Sequence, residues 1–294
     1  MTDSKSVVII GGLGLGDNLV QMVLGENARC RGHEVTMLSS IMCELHSWFP
    51  DCTFLPSIQP EEFEQVLNKY DLVLWAHETF YPISQELKNR WVSYEKYFQP
   101  QYNRVENMAL VSREIFGIDK PVHGNGIVIP EGLQWRQHEK RVVIHPTSAE
   151  TSKNWLPSRF LKLAERLAGS GFEVVFIMSA PERPEWEPVI KDRFPLIGFD
   201  TVDECAGFIY ESGYFIGNDS GGGHLASNLN IPVLSIHGRR SKAKDWQPGW
   251  GTVEVVSPGL NLIGSRFRQH YWKYFLPIKS VEKSFRGLAK RCKH

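Results

Sequence analysis

Short apolar runs recur along the chain and alternate with longer stretches of helical periodicity. The runs read as buried strands, and each is followed by turn residues and then by an amphipathic segment. In the first half they cover residues 7–10, 34–38, 53–55 and 71–75, and in the second half residues 141–145, 172–178, 214–216 and 231–233. Strands that alternate with helices predict an α/β fold with parallel sheets.

The chain has 294 residues, which is long for one core and comfortable for two of ordinary size. The stretch with glycines and prolines before residue 141 has no clear periodicity, as is typical of a connection between domains. We therefore predict a first domain over residues 1–125, a linker over 126–140 and a second domain over 141–275.

The most informative stretch lies in the second domain, between the apolar runs that end at Ile216 and begin again at Ile231. A strand, a glycine-rich turn, a helix and a strand form a parallel α/β unit, whose turn lies where such sheets bind ligands. Glycines let backbone N–H groups approach an anion, and the helix N-terminus adds a positive dipole. An ordinary turn with an Asp or Ser cap is the alternative. The candidate binding residues are Asp219, Ser220, Gly221, Gly222, Gly223 and His224.

A second glycine-rich loop, residues 11–18, follows the first strand. A dinucleotide-binding fingerprint would need a third glycine at position 17, where this chain has Asp17. Because a carboxylate is a poor neighbour for a pyrophosphate, NAD binding is disfavoured. Asp17 is either a functional carboxylate at a strand end or a helix N-cap.

The distribution of charge and the cysteines indicate the partners and the cellular location of the protein. The formal net charge is zero, but residues 239–294 carry 13 Lys and Arg against 3 Asp and Glu, a net +10. This basic end suggests phosphorylated partners or a membrane face, with a solvated surface as the alternative. Five scattered cysteines and no signal-like or membrane-spanning stretch predict a cytoplasmic protein, peripheral at most to the membrane. We expect no nucleic-acid partner.

The stretch Asp219-Ser-Gly-Gly-Gly-His-Leu-Ala226, followed by Ile231-Pro232 and His237-Gly238, resembles the nucleotide-sugar signature of one family. That family is the ADP-heptose:lipopolysaccharide heptosyltransferases, glycosyltransferase family 9. The resemblance implies the GT-B fold, in which two Rossmann-like domains with parallel sheets face a cleft. It also implies that the last helix, within residues 276–294, returns to the first domain.

The resemblance suggests roles for particular residues. Asp17 matches an aspartate proposed to be the general base, and residues 145–157 resemble the segment that binds the donor. Lys153 would stabilise the leaving diphosphate, and Thr147, which replaces the family's usual glycine, and Ser148 would donate hydrogen bonds. Glu182 is expected to contact the nucleoside, although Ser179 and Ala180 replace the glycines that usually precede it.

The acceptor side is predicted less sharply. Gly14 and Gly16 accompany Asp17, and His77 and Glu78 follow a strand. A histidine at a strand end is also commonly structural, so both interpretations of His77 stay open.

The predicted function is an inverting glycosyltransferase that moves a sugar, in the family a heptose, from an ADP-sugar to a glycan, glycolipid or glycoprotein acceptor. No cofactor or metal is expected, because the sequence has no Asp-x-Asp motif. Two alternatives remain: a nucleotide-sugar epimerase on the same fold, and a non-catalytic module that binds nucleotide sugars.

Overall fold

The computed structural model describes residues 4–78, 81–239, 244–259 and 271–292. The chain divides into two compact units, Met1–Pro130 and Glu131–His294. The division falls inside the predicted linker of residues 126–140, and the residues after it already belong to the second unit.

The first unit is built on a five-stranded sheet in the order β3-β2-β1-β4-β5. Every strand pair in its described residues is parallel. The strands are β1 (Ser6–Ile10), β2 (Glu34–Leu38), β3 (Thr53–Leu55), β4 (Leu72–Trp75) and β5 (Trp91–Ser93). The helices are α1 (Leu15–Cys30), α2 (Ser40–Cys43), α3 (Phe63–Leu67), α4 (Gln85–Asn89) and α5 (Arg104–Phe116), with 3-10 turns at His46–Trp48, Pro60–Glu62 and Glu95–Tyr97.

Local signals explain why α5 begins and ends where it does. The Asn103 side chain accepts a hydrogen bond from the Glu106 N–H, and the Glu106 carboxylate accepts one from the Asn103 N–H. This reciprocal cap satisfies two donors that a helix N-terminus leaves without partners. Gly117 ends the helix with φ +62°, a left-handed conformation that glycine adopts without steric cost.

The second unit is built on a six-stranded sheet in the order β11-β10-β9-β6-β7-β8, again parallel throughout its described residues. The strands are β6 (His138–His145), β7 (Glu173–Met178), β8 (Leu196–Gly198), β9 (Ser212–Asn218), β10 (Val233–Ile236) and β11 (Val253–Val256). The helices are α6 (Pro157–Ala168), α7 (Arg183–Ile190), α8 (Val202–Tyr210), α9 (Gly221–Asn228) and α10 (Ile278–Arg291), with a 3-10 turn at Thr151–Lys153.

The C-terminal helix α10, which lies within residues 276–294, packs on the second unit. Its buried residues Val281, Phe285 and Leu288 join the core of the second unit, where the Phe285 ring contacts the rings of Phe172 and Tyr214. The apolar face of the helix is therefore covered by the sheet of its own unit. The return to the first domain that the resemblance implied stays a prediction.

The described residues include no helix that is both long enough and apolar enough to cross a membrane.

Candidate functional site

Lys153 and Asp219 meet at the carboxyl edge of the second sheet. Lys153 lies in the loop after β6 and Asp219 directly follows β9, the neighbouring strand. The Lys153 Nζ atom is 3.1 Å from the Asp219 Oδ2 atom. The side chain of Lys153 is 37% exposed and that of Asp219 is 15% exposed, so the pair is within reach of a ligand.

The loop that carries Lys153 is fixed by Asn218, a residue to which the sequence analysis gave no role. Asn218 is fully buried; its Oδ1 accepts from the Trp155 N–H at 3.0 Å, and its Nδ2 donates to the Pro146 carbonyl at 2.5 Å. One amide thus holds both ends of the loop against the end of β9. The signal was the position of a polar residue at the end of a buried strand, directly before Asp219.

His237 lies behind this pair. It is buried, its Nδ1 is 4.0 Å from the Asp219 Oδ2, and its Nε2 is 2.8 Å from the Ser235 hydroxyl. Burial lowers the pKa of His237, although the Asp219 carboxylate opposes that shift. A neutral imidazole therefore lines the site at physiological pH. The sequence analysis used His237 only as part of a motif.

A second polar cluster surrounds Glu182 at the end of β7. The Glu182 Oε2 accepts from the Ser179 N–H at 3.0 Å and from the Ser179 hydroxyl at 2.5 Å, and it lies 3.9 Å from the His145 Nε2. Burial raises the pKa of this carboxyl, but its interactions with His145, Ser179 and Thr147 outweigh burial and lower the pKa to about 2. Glu182 is therefore a fixed anion in the physiological range.

The two predicted hydroxyl donors of this loop are engaged within the protein. The Thr147 Oγ1 is 3.1 Å from the His145 Nε2 and also bonds to Glu182. The Ser148 Oγ lies 2.7 Å from the Asn154 Oδ1 and 2.9 Å from the Glu150 carbonyl. Both side chains shape the loop in this structure, and their donation to a ligand stays a prediction.

The glycine-rich turn forms the N-terminus of α9. Ser220 is the N-cap, and its hydroxyl lies 3.4 Å from the His145 Nδ1. A Cβ atom on Gly222 would lie 3.2 Å from the Phe215 ring and 3.3 Å from the His145 Nδ1. Both rings would have to shift by a few tenths of an ångström to admit that atom, so helix and sheet pack closely at Gly222. The first N–H groups of the helix and its dipole favour an anion beside Asp219 and Lys153.

His224, predicted to contact a phosphate, is buried within α9. Its side chain is only 3% exposed, and its ring meets that of Trp246 edge-on at 6.3 Å between centroids. Burial lowers its pKa to about 4, so the ring is neutral at physiological pH. Its Nδ1 has no hydrogen-bond partner among the described residues. Its contact with a phosphate stays a prediction.

In the first unit, Asp17 lies in the first turn of α1, and Gly14 is the N-cap. The alternative interpretation of Asp17 as the N-cap is therefore wrong. A Cβ atom on Gly12 would lie 2.7 Å from the Asp17 Cβ, and one on Gly14 would lie 3.0 Å from its Oδ2. The glycines leave room for a carboxylate that folds back over the loop. Gly16, predicted on the acceptor side, is buried within α1.

Two side chains that the sequence analysis missed hold this loop. The Asn18 Nδ2 donates to the carbonyls of Gly12 and Gly14 at 2.9 and 2.7 Å. The Gln21 Oε1 accepts from the Gly12 N–H at 3.0 Å, and its Nε2 donates to the hydroxyl of the buried Tyr94 at 2.6 Å. The loop under Asp17 is thus pinned from the helix and from the end of β5.

His77 and Glu78 follow β4 and are exposed. The His77 Nδ1 lies 3.3 Å from the Glu95 Oε2, and Glu95 also pairs with Arg104 at 3.4 Å. The contact gives His77 a structural partner and leaves its predicted acceptor role a prediction.

The basic C-terminal region is partly described. In α10, Arg286 pairs with Glu282 at 2.8 Å, and Arg291 pairs with Glu254 at 2.7 Å. Residues 240–243 of the predicted basic segment, and residues 260–270, lie outside the described residues. The part of the chain that is described contains no group of three or more His, Cys, Asp or Glu residues arranged to hold a metal ion.

Comparison with known proteins covers both sequence and fold. The family model described as Glycosyltransferase family 9 (heptosyltransferase) matches residues 83–257. Lipopolysaccharide heptosyltransferase 3 of Escherichia coli is 30% identical over 33% of this chain and 31% of its own length. Lipopolysaccharide heptosyltransferase 1 of Campylobacter coli is 24% identical over 49% of this chain and 42% of its own. The chain thus matches about a third to two fifths of the length of these curated relatives.

Solved structures extend the similarity to nearly the whole chain. The E. coli ADP-heptose lps heptosyltransferase II aligns with a TM-score of 0.76 and 14% identity, over 98% of this chain and 100% of that one. The E. coli heptosyltransferase WaaC with ADP aligns with a TM-score of 0.69 and 15% identity, over 96% and 99%. These alignments confirm the predicted α/β fold of the GT-B heptosyltransferases. With the sequence match over more than half of its length, the chain belongs to glycosyltransferase family 9, the heptosyltransferase family.

Proposed function

We propose that the protein is an inverting glycosyltransferase that moves a sugar, a heptose in the favoured case, from an ADP-sugar to a hydroxyl of a glycan or glycolipid acceptor. The observation that carries the proposal is the Lys153–Asp219 pair, 3.1 Å apart beside the N-terminus of α9. A cation and a helix dipole at one place suit a diphosphate, and a carboxylate beside them suits ribose or sugar hydroxyls.

The choice of donor is supported by relatives. WaaC of E. coli has been solved with ADP and with ADP-2-deoxy-2-fluoro heptose. By analogy the donor of this chain carries ADP, with Glu182 on the nucleoside side, as its position after β7 suggests. The fixed negative charge of Glu182 suits hydrogen bonds from ribose hydroxyls.

The chemical step is a single displacement. The acceptor hydroxyl oxygen forms a bond to the anomeric carbon, the bond from that carbon to the diphosphate oxygen breaks, and Asp17 takes the hydroxyl proton. Charge that develops on the departing ADP is stabilised by Lys153 and the α9 N-terminus. One displacement inverts the anomeric configuration.

Lys153 and the helix N-terminus supply positive charge where other transferases use a divalent ion, so we propose that no metal is needed. One structural neighbour, TibC, is described as iron-containing. Activity that survives EDTA would support metal independence, and activity that is lost to EDTA and restored by a metal would overturn it.

We further propose a cytoplasmic protein that contacts the inner face of the membrane through its basic C-terminal region. Co-sedimentation with anionic vesicles tests this, because attraction between basic groups and anionic lipid weakens with salt. Absence of salt-sensitive binding would contradict it.

The donor is tested by thermal shift with ADP-, UDP-, GDP- and CMP-sugars, because a ligand that binds only the native state raises the melting temperature. We expect stabilisation by the ADP-sugar, and its loss in Asp219→Ala. Stabilisation by UDP- or CMP-sugars alone would overturn the choice of nucleotide. Epimer formation without acceptor would instead favour an epimerase.

A further inference from the structure

Three exposed aromatic side chains cluster directly before α10. Tyr271 is 49% exposed, Tyr274 is 54% exposed and Phe275 is 40% exposed. Trp272, in the same segment, is buried in the core of the second unit. Residues 271–275 are helical, so positions 271, 274 and 275 lie on one side of the turn. The side of this segment that faces solvent is therefore aromatic, while its other side anchors it to the core.

The three exposed side chains form one patch on a fixed backbone, which we call the aromatic patch. The ring centroids of Tyr271 and Tyr274 are 6.3 Å apart, and Phe275 follows Tyr274 in the chain. The Arg159 guanidinium, from α6, donates to the carbonyls of Tyr274, at 2.8 Å, and of Leu276. Exposed apolar residues that are scattered singly need no explanation, but a contiguous group of them marks an interaction surface.

A row of cations lies along α10. The exposed cations of this row follow one another at spacings of four, three and four residues: Lys279, Lys283, Arg286 and Lys290. They therefore share one side of the helix, over a length of about 16 Å. The one acidic residue of α10, Glu282, is largely buried and is held by Arg166 at 2.9 Å and by Arg286 at 2.8 Å. The solvent side of α10, which we call the basic row, is therefore positive.

The aromatic patch and the basic row adjoin each other. Phe275 precedes Lys279 by four residues, and four residues of chain span at most about 14 Å. The two features therefore meet at the N-terminal end of α10 and can contact one partner together.

The combination suits the surface of an anionic membrane. Aromatic side chains favour the boundary between lipid headgroups and acyl chains, and lysines beside them favour anionic headgroups. A small anionic ligand would use the basic row and leave the aromatic patch without a role. A neutral glycan would use the aromatic patch and leave the basic row without one.

We propose that the aromatic patch and the basic row together bind an anionic bilayer, with the side chains of Tyr271, Tyr274 and Phe275 inserted between the headgroups. The inference rests on the membrane contact proposed above and deepens it, because that contact was attributed to charge alone. Burial of aromatic surface adds a contribution that salt does not screen.

Co-sedimentation of the full chain with vesicles of phosphatidylcholine and phosphatidylglycerol in equal amounts tests the inference. Binding is measured at low salt and at about 1 M salt, where the Debye length is only about 3 Å. We expect the wild type to keep part of its binding in high salt. Tyr274→Ser combined with Phe275→Ser should lower the high-salt partition coefficient at least about tenfold, because the transfer of two aromatic side chains out of water is lost.

Two further variants separate the aromatic contribution from the electrostatic one. Lys279→Gln combined with Lys283→Gln should weaken binding at low salt and leave binding at high salt unchanged. Tyr97→Ser combined with Tyr102→Ser is the matched control, because both are exposed tyrosines of the first unit. The control should bind like the wild type at both salt concentrations.

Thermal unfolding identifies any variant that fails to fold, and Tyr271→Ser combined with Tyr274→Ser then replaces the first pair. Wild-type binding that vanishes in high salt overturns the inference and leaves the contact through charge intact. A folded aromatic variant that matches the wild type in high salt also overturns it, and a raised KM for a water-soluble acceptor in that variant would assign the aromatic patch to the acceptor. A wild-type chain that binds at neither salt concentration overturns the proposed membrane contact as well.

Discussion

Replacing Lys153 by methionine removes one positive charge and keeps a side chain of similar length. Two unit charges about 4 Å apart interact by about 4 kcal/mol at an effective dielectric constant of 20, and by about 1 kcal/mol in bulk water. Because Lys153 is 37% exposed while Asp219 is only 15% exposed, the site lies between these limits. Stabilisation of the departing diphosphate by about 1–4 kcal/mol corresponds to a fall in kcat of about 5- to 10³-fold.

The fold should barely respond to Lys153→Met, since a partly exposed ion pair contributes about 0–1 kcal/mol to the free energy of unfolding. The assay is ADP release under saturating ADP-sugar and acceptor, with the melting temperature measured on the same samples. Lys162→Met is the matched control, because Lys162 is an exposed lysine on α6 of the same unit. A kcat within about threefold of the wild-type value in folded Lys153→Met protein would refute the assigned role.

Further predictions concern other parts of the molecule. Asp17→Asn should abolish transfer and leave the calorimetric affinity for the ADP-sugar unchanged. Transfer by Asp17→Asn at the wild-type rate would refute the role of Asp17 as the general base. The depressed pKa of Glu182 adds stability that is present above its ordinary value of 4.5 and is lost as pH falls toward 2. The difference in urea-unfolding free energy between wild type and Glu182→Gln should therefore shrink as the pH falls from 4.5 toward 2. A difference that stays constant over this pH range would contradict the depressed pKa of Glu182. Phe285→Ala should destabilise the second unit by about 3–5 kcal/mol, against about 0.5 kcal/mol or less for the exposed Lys283→Ala. Equal unfolding midpoints of these two variants would contradict the packing of α10.

The predicted strands agree closely with the structure where apolar runs were bounded by turn residues. The predicted runs 34–38 and 53–55 coincide with β2 and β3, and the run 172–178 is one residue longer than β7. Buried parallel strands leave a continuous apolar signal, because both faces are covered. The signals that bound α5 are equally clear, since its cap Asn103 and its terminal Gly117 are local in sequence.

Some short strands were missed, β5 among them, although the three-residue edge strand β3 was predicted. Tyr94, after β5, is buried while Tyr97 is exposed. A three-residue strand carries no periodicity, and its position depends on pairing with β4, which is distant in sequence. The pattern around it could not indicate that pairing.

The sequence also indicated some residues of the candidate site and missed others. The sequence indicated Lys153 and Asp219 through motifs that lie more than sixty residues apart, and the structure brings their side chains together. Burial could not be deduced locally: the fold buries the ring of His224 against Trp246, which the sequence did not indicate. The partners Asn218, His237 and Gln21 were missed for a related reason, because their roles depend on loops that only the tertiary fold brings near.

The most direct test of the central claim is acceptor-dependent release of ADP from ADP-heptose, with heptose-deficient lipopolysaccharide as acceptor and NMR assignment of the product anomer. We predict ADP release that requires the acceptor, an inverted anomeric configuration in the product, and no transfer by Asp17→Asn. Retained configuration, or transfer by Asp17→Asn at the wild-type rate, would contradict the account.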